Sequence, residues 1–117
     1  NLGHSSGDQV IMSLGKLIRR EIRSSDIFGR IGGEEFAILT PETELRDVVI
    51  LAEKIRRKIE STDFVPDYRV TVSIGAAGFR RNDTVKSLFE RADSALYHAK
   101  GNGRNQVSRE GPRASLR

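Results

Sequence analysis

The sequence predicts an α+β domain of the βαββαβ type whose opening strand is absent from the chain. Two observations lead to this class: apolar residues recur at helical spacing in three segments, and segments of strand composition lie between them. The resulting order is helix, strand, strand, helix, strand, helix and short strand. Because the first strand of such a fold lies inside the sheet, its absence would leave unpaired backbone groups. We therefore expect residues upstream of Asn1 to belong to the native domain.

The three helices are predicted at about residues 8–23, 43–60 and 85–100. In each segment the apolar residues recur at intervals of three and four, which places them on one face of a helix. The stripe of the second helix consists of Leu45, Val48, Val49, Ala52, Ile55 and Ile59. The third helix ends at Gly-Asn-Gly, residues 101–103, a sequence typical of a helix C-terminus.

Four strands are predicted between and after these helices. The first two, at about 27–31 and 35–40, are joined by a Gly-Gly turn and predict a hairpin. Residues 68–79 alternate apolar and other side chains, which predicts a third strand of good length. Residues 105–108 predict a short last strand.

The chain is expected to form one domain, residues 1–109, followed by a flexible tail of residues 110–117. Hydrophobic residues make up 37% and charged residues 31%, which is ordinary for a globular protein. The net charge of +4 is compatible with an anionic ligand such as a nucleotide. The absence of cysteine excludes a disulfide framework and a thiolate zinc site. No apolar stretch reaches the roughly 20 residues that span a bilayer, so we expect no membrane contact by this segment.

The hairpin sequence RIGGEEF, residues 30–36, places two adjacent carboxylates beside two glycines. Glycines supply the positive φ angles of a tight turn, so a hairpin alone explains them. It does not explain Glu34 and Glu35. Carboxylates beside backbone that carries no side chain suit a divalent cation together with a phosphate, whereas the alternative interpretation is an exposed acidic turn.

Three further groups of polar residues have an ordinary structural interpretation. Asp8 is placed to cap the N-terminus of the first helix. Lys100 and the nearby Arg104 are cations of the usual kind at a helix C-terminus. Arg23 and Asp26, between a helix and a strand, are by default a solvated ion pair.

Several segments together nevertheless resemble the GGDEF family of diguanylate cyclases. Besides RIGGEEF they are GHSSGD (3–8), RSSD (23–26), SIGAA (73–77) and AKGNGRN (99–105), in the family's order and spacing. The resemblance covers about residues 1–109. It implies a ferredoxin-like, palm-type nucleotide cyclase fold with an antiparallel central sheet. It also implies the condensation of two GTP molecules into cyclic di-GMP and pyrophosphate, with two Mg²⁺ or Mn²⁺ ions in each active site.

The resemblance also implies roles for individual residues. At the hairpin, Glu34 matches the metal-binding carboxylate and Glu35 is a second acidic catalytic group, while Gly32 and Gly33 leave room for phosphate and ribose. Asp8 matches the aspartate that accepts hydrogen bonds from the guanine base. Lys100 and Arg104 match the residues that reach the β- and γ-phosphates of GTP. In SIGAA, we interpret Gly75 as a structural residue that permits close backbone packing.

Arg23 and Asp26 match the family's inhibitory site for the product, where Arg23 would bind phosphate or a guanine edge and Asp26 would bind guanine. Further basic groups are needed for a ligand with two phosphates, and the candidates are Lys54, Arg56 and Arg57 on the second helix. The family's first strand, with an aspartate that binds both metals, is absent. We therefore expect the chain as printed to be inactive alone.

The favoured hypothesis is a cytoplasmic diguanylate cyclase domain of a bacterial signalling protein. It would act as a homodimer and form the output module of an upstream sensory domain, which could belong to a membrane-bound sensor. The alternative is an inactive GGDEF domain that binds cyclic di-GMP or GTP as a regulatory module. A third hypothesis, a nucleic-acid-binding domain, is disfavoured because Tyr68, Phe79 and Phe36 form no aromatic platform in the strand pattern.

Overall fold

The computed structural model describes residues 2–66 and 69–110, with side chains from residue 7 onward. Its elements, in chain order, are α1 (Leu2–Glu21), β1 (Ile27–Gly32), β2 (Glu35–Leu39), α2 (Leu45–Glu60), β3 (Ile74–Ala76), α3 (Val85–Gly101) and β4 (Val107–Arg109). The predicted α+β class and the predicted order of elements are confirmed.

The strands form two small sheets of two strands each. β1 and β2 make the predicted antiparallel hairpin, with Ile27 opposite Leu39 and Gly32 opposite Glu35. β3 and β4 are parallel, with Ile74 opposite Val107. The resemblance implies an antiparallel central sheet; the hairpin is antiparallel, whereas β3 and β4 pair in parallel. The reason is that α3 connects β3 to β4, and a helical crossover returns the chain in the same direction.

The core lies between α1, α2 and the strands. Its buried members from the helices are Leu14, Leu17, Ile18, Ile55 and Ile59. Strand residues such as Phe28, Ile38 and Ile74 pack against this cluster. The period of three and four in α1 and α2 therefore identified the core face correctly.

The third strand is much shorter than predicted. Of the predicted 68–79, only Ile74–Ala76 is strand, and Tyr68 lies outside the described residues. Val70 and Val72 still pack against the core, so their alternation is a true signal of a buried face. Strand assignment also requires a hydrogen-bonded neighbour, and among the described residues β4 supplies one only to Ile74–Ala76.

Close packing of α3 on β3 explains the glycine of SIGAA. A Cβ atom at Gly75 would lie 2.2 Å from both the carbonyl oxygen of Ala92 and the backbone nitrogen of Leu96. The interpretation of this glycine as a close-packing residue is confirmed. On the same helix, Ala95 and Ala99 are also buried, so the small-residue side of α3 lies flat against the sheet.

The end of the domain extends one residue beyond the predicted boundary. The backbone N–H of Glu110, which the sequence assigns to the tail, donates to the carbonyl of Ala76 over 3.0 Å. Its carboxylate accepts from Gly78, Arg80 and Arg91. The remaining predicted tail, residues 111–117, lies outside the described residues.

Candidate functional site

The hairpin tip carries the two carboxylates on exposed backbone. Glu34 lies in the turn, and Glu35 is the first residue of β2. Gly33 has a φ of +48°, the conformation that favours glycine, and a Cβ atom there or at Gly32 would meet nothing within 4 Å. The Nε of Arg30 donates to the carbonyl of Gly33 over 2.8 Å and braces the turn. The tip therefore presents two negative charges with open space around the glycine backbone.

The C-terminal end of α3 approaches this tip. The Nζ of Lys100 lies 3.9 Å from Oε2 of Glu35, and both side chains are about half exposed. Arg104 follows in the exposed turn after α3, with a φ of +65°. Residues about 65 positions apart in the sequence are thus brought to one site, with carboxylates on one side and a cation on the other. An exposed ion pair of this kind adds little to the stability of the fold, but its cation marks a place where an anion could bind.

The turn after α3 is held in an uncommon backbone conformation. Gly103, Arg104 and Asn105 have positive φ angles of 110°, 65° and 46°. The N–H of Arg104 donates to the carbonyl of Ala99 over 2.9 Å. The side-chain amide of Gln106 donates to the carbonyls of Asn102 and Arg104. Strained backbone of this kind persists only where surrounding contacts fix it.

Asn105 fastens that turn to the rest of the domain. Its N–H donates to Oγ of Ser73 over 3.1 Å, and its side-chain Nδ2 donates to Oε2 of Glu60 over 2.8 Å. Its Oδ1 accepts from Nη1 of Arg56 over 3.0 Å. The hydrogen bond from Asn105, followed by the hydrogen bond and the charge of Arg56, holds the pKa of Glu60 below its usual range.

Asp8 has a different position from the one predicted. The helix begins at Leu2, so Asp8 lies in its second turn and the N-cap interpretation is wrong. The side chain is exposed. The GHSSGD segment is therefore helical rather than a loop that precedes a helix, because Gly3 and Gly7 are tolerated inside a helix whose later turns are well packed.

Arg23 and Asp26 are paired, as predicted, but Asp26 is not solvated. Its side chain is 1% exposed, and it accepts from the N–H of Arg23 over 2.9 Å and from Nη2 over 3.2 Å. The guanidinium, 59% exposed, also donates to Oγ1 of Thr43 over 2.7 Å and to the carbonyl of Pro41. In this arrangement Asp26 orients Arg23, and only Arg23 faces solvent.

The basic residues of α2 lie on two sides of the helix. Lys54 and Lys58 reach Glu21 of α1, with Nζ to carboxylate distances of 3.4 and 3.0 Å. The hydrogen bond from Lys58 is the main cause that keeps the pKa of Glu21 below its usual range. Arg56 instead is 14% exposed and bonds to Glu53, Glu60 and Asn105. The hypothesis that Lys54, Arg56 and Arg57 share one ligand-binding face is therefore wrong for Arg56.

The hairpin suits a divalent cation that is shared with a phosphate. Mg²⁺ is commonly held by one or two carboxylates together with waters and substrate phosphates. Glu34 and Glu35 supply such oxygens at an open, exposed tip. Among residues 7–66 and 69–110, whose side chains the structure describes, no three acidic or histidine side chains come together as a cage for a metal ion. The donor set thus fits a metal that reaches the protein with its substrate.

A family comparison decides what kind of domain this is. The family model described as "Diguanylate cyclase, GGDEF domain" matches residues 1–106. The chain belongs to the GGDEF family. Diguanylate cyclase DgcM of Escherichia coli (strain K12) is 43% identical over 105 residues, which cover 90% of this chain and 26% of that protein. The chain therefore spans about a quarter of this relative's length.

Solved structures of GGDEF domains share the fold. The GGDEF domain of DgcB from Caulobacter crescentus, determined in complex with c-di-GMP, superposes with a TM-score of 0.86 at 35% identity. The match covers 92% of this chain and 67% of that one. The active GGEEF domain of a Vibrio cholerae diguanylate cyclase gives a TM-score of 0.87 at 33% identity, over 92% and 70%. The palm-type cyclase fold expected from the sequence is confirmed.

Sequence reasoning missed some side chains that build this site. Glu21, Glu60 and Ser73 carry no assignment from the sequence, and Asn105 enters only as the end of AKGNGRN and the start of the predicted last strand. The Arg56–Glu60 ion pair could have been predicted, since the two residues are four positions apart on one face of α2. No helix in the described residues has the length and hydropathy of a bilayer span.

Proposed function

We propose that this chain is the catalytic domain of a diguanylate cyclase, which joins two GTP molecules into cyclic di-GMP and releases pyrophosphate. The observation that carries the proposal is the meeting of the carboxylate hairpin and the end of α3, where Lys100 lies beside Glu35. Phosphoryl transfer requires cations along the phosphates and carboxylates for divalent metal at one place. The names of the domain's relatives agree with this chemistry.

In the proposed complex, the phosphate tail of GTP lies between the hairpin tip and the turn after α3. Lys100 offers a compact charge and Arg104 a forked guanidinium, both suited to the β- and γ-phosphates. The exposed glycine backbone at residues 32 and 33 lets phosphate and ribose approach. Asp8 is proposed to accept from the guanine N1–H and exocyclic amine, a pairing that adenine does not offer.

Each half-reaction forms one bond and breaks one. The 3′-oxygen of one GTP bonds to the α-phosphorus of the other, the bond from that phosphorus to the β-phosphate oxygen breaks, and pyrophosphate leaves with the electron pair. The hydroxyl proton passes to solvent. Mg²⁺ or Mn²⁺, two in each active site and held through Glu34 with Glu35 beside it, would lower the pKa of the hydroxyl and neutralise the phosphate charge. Two such domains must face each other, because each hairpin holds one GTP.

Arg23 is proposed to bind the product at a separate, inhibitory site. Its guanidinium is already oriented by Asp26, Thr43 and Pro41, so little side-chain freedom would be lost on binding a phosphate or guanine edge. Of the basic groups on α2, Lys54 and Lys58 lie next to this site, since both pair with Glu21, which precedes Arg23 in the chain. A GGDEF domain that only binds cyclic di-GMP is the second candidate, and this preformed site is the observation that favours it.

The experiment measures cyclic di-GMP formation from GTP with Mg²⁺ or Mn²⁺ by the full-length protein that contains this domain. We expect Glu34→Gln to abolish turnover while the circular dichroism spectrum stays unchanged, because one metal-binding carboxylate is lost. Glu44→Gln is the matched control, since Glu44 is also exposed but lies at the N-cap of α2. Normal turnover by the folded Glu34→Gln protein would contradict the assigned role. An inactive wild type that still binds cyclic di-GMP would support the receptor instead.

A further inference from the structure

The turn that carries Arg104, one of the two proposed phosphate ligands, is not self-supporting. Gly103, Arg104 and Asn105 have left-handed backbone angles in succession, and two of these residues carry a side chain. Arginine keeps this conformation only when contacts hold it there, whereas asparagine tolerates it more readily. The direction in which the Arg104 guanidinium points therefore depends on what fixes the next residue.

That fixed point is Asn105. Its side-chain amide bonds to Glu60 and Arg56 at the end of α2, and its backbone N–H donates to Ser73 just before β3. Glu60 and Arg56 also bond to each other over 3.1 Å, and Arg56 bonds to Glu53 over 2.6 Å. Arg56 is 14% exposed, so its charge is committed to this network rather than to solvent. Partial burial and hydrogen bonds to both Glu60 and Arg56 make the Asn105 side chain a fixed anchor.

We infer that Asn105, held by Glu60 and Arg56, is a positioning residue that aims the adjacent Arg104 at the phosphate tail of the nucleotide. This inference rests on the proposed function, because it concerns the same phosphate site. It gives the residues of α2 a role in substrate affinity although none of them touches the substrate. Loss of the Asn105 contacts should therefore weaken binding of the nucleotide's phosphate tail and leave binding of its base unchanged.

An exchange of groups between positions 60 and 105 tests this. In Asn105→Asp, a carboxylate faces the Glu60 carboxylate and the hydrogen bond is replaced by repulsion. Adding Glu60→Gln returns one amide and one carboxylate to the pair, with their positions exchanged. The rescue by the double variant is a result that a general loss of folding would not give. Asn102→Ala is the matched control, because Asn102 lies in the same turn and its side chain takes no part in the network.

The measurement is equilibrium binding of a non-hydrolysable GTP analogue and of GMP to the full-length protein. We expect Asn105→Asp to weaken analogue binding by about tenfold and to leave GMP binding within about twofold, because only the analogue carries the β- and γ-phosphates. The double variant should recover most of the loss. If Asn105→Asp does not fold, Asn105→Gly removes the same amide at a residue whose positive φ suits glycine.

The outcomes separate the two proposals. A wild type that binds the analogue no more tightly than GMP would refute the phosphate role of Lys100 and Arg104, and this inference with it. A wild type that prefers the analogue, beside a folded Asn105 variant with the same preference, would refute the inference alone. Equal loss of both ligands would also refute it, because the residue would then be merely structural.

Discussion

Replacing Gly75 by alanine should destabilise the domain severely, and the structure indicates why. The added Cβ would lie 2.2 Å from the carbonyl oxygen of Ala92, 2.2 Å from the nitrogen of Leu96 and 2.7 Å from its Cα. All three are backbone atoms of α3, so no side-chain rotation can relieve the overlap. Contacts below 3.0 Å are essentially never adopted by a Cβ atom, and α3 would have to withdraw from β3 by at least about 0.8 Å.

The size of the effect follows from what that withdrawal breaks. Ala95, 2% exposed, and Ala99, fully buried, lie on the side of α3 that must move, so their packing opens as well. Overpacking of a close-packed core costs about 1–3 kcal/mol, and rigid backbone on the opposing side places this case at the upper end or beyond. For a domain of this size, a loss of about 3 kcal/mol lowers the melting temperature by roughly 12 °C or more.

The assay is urea unfolding of the full-length protein, followed by circular dichroism and compared with Gly29→Ala. Gly29 lies in β1, and a Cβ there meets nothing within 4 Å, so this control makes the same chemical change without the overlap. We expect Gly29→Ala to be neutral or to stabilise by up to about 1 kcal/mol, because alanine is less flexible than glycine when unfolded. Equal midpoints for the two variants would refute the packing argument at Gly75.

The remaining predictions concern catalysis, regulation and pH. Specific cyclase activity should rise with protein concentration, because two domains must meet; a constant value from a proven monomer would contradict this. Arg23→Ala should weaken calorimetric binding of cyclic di-GMP by about tenfold or more while GTP turnover persists, since charge-assisted hydrogen bonds contribute about 1.5–3 kcal/mol. Unchanged affinity would leave Arg23 as a structural residue of its turn. Hydrogen bonds from Ser87 and from the backbone N–H of Arg80 lower the pKa of Asp83. The ionised carboxylate should therefore stabilise the folded domain at neutral pH, and this stabilisation should decline as the pH falls below about 4. Unfolding from pH 7 to 3 should therefore depend less on pH in Asp83→Asn, and parallel curves for the two proteins would show that Asp83 makes no such contribution.

Local patterns predicted the fold well where each element is determined by its own residues. The apolar stripe of α2 identified its core face, and the Gly-Gly sequence identified the hairpin, although the turn itself consists of Gly33 and Glu34. Patterns failed where the outcome depends on partners distant in sequence. Residues 68–79 have the alternation of a long strand, but only Ile74–Ala76 finds a hydrogen-bonded neighbour among the described residues.

The predicted start of α1 was also wrong because it depends on residues further along the chain. Asp8 after a glycine is a good cap in isolation, and the sequence offers a clear apolar stripe only from Val10 onward. The helix nevertheless begins at Leu2. Propensity is a weak guide in this segment because the later turns, anchored by Leu14, Leu17 and Ile18, can extend a helix over residues that would not form one alone.

The grouping of basic residues on α2 was open to a correct prediction, because helix geometry alone separates them. Successive residues of a helix are rotated by about 100° around its axis. Positions 54 and 56 therefore point to nearly opposite sides of α2. Ile55 and Ile59 face the core between them. Lys54 and Lys58 therefore fall on the flank that meets α1, where both reach Glu21, and Arg56 and Glu60 fall on the flank that meets Asn105. The first flank lies beside Arg23 and the second beside the turn of Arg104, so one helix supplies the supporting charges of both proposed ligand sites.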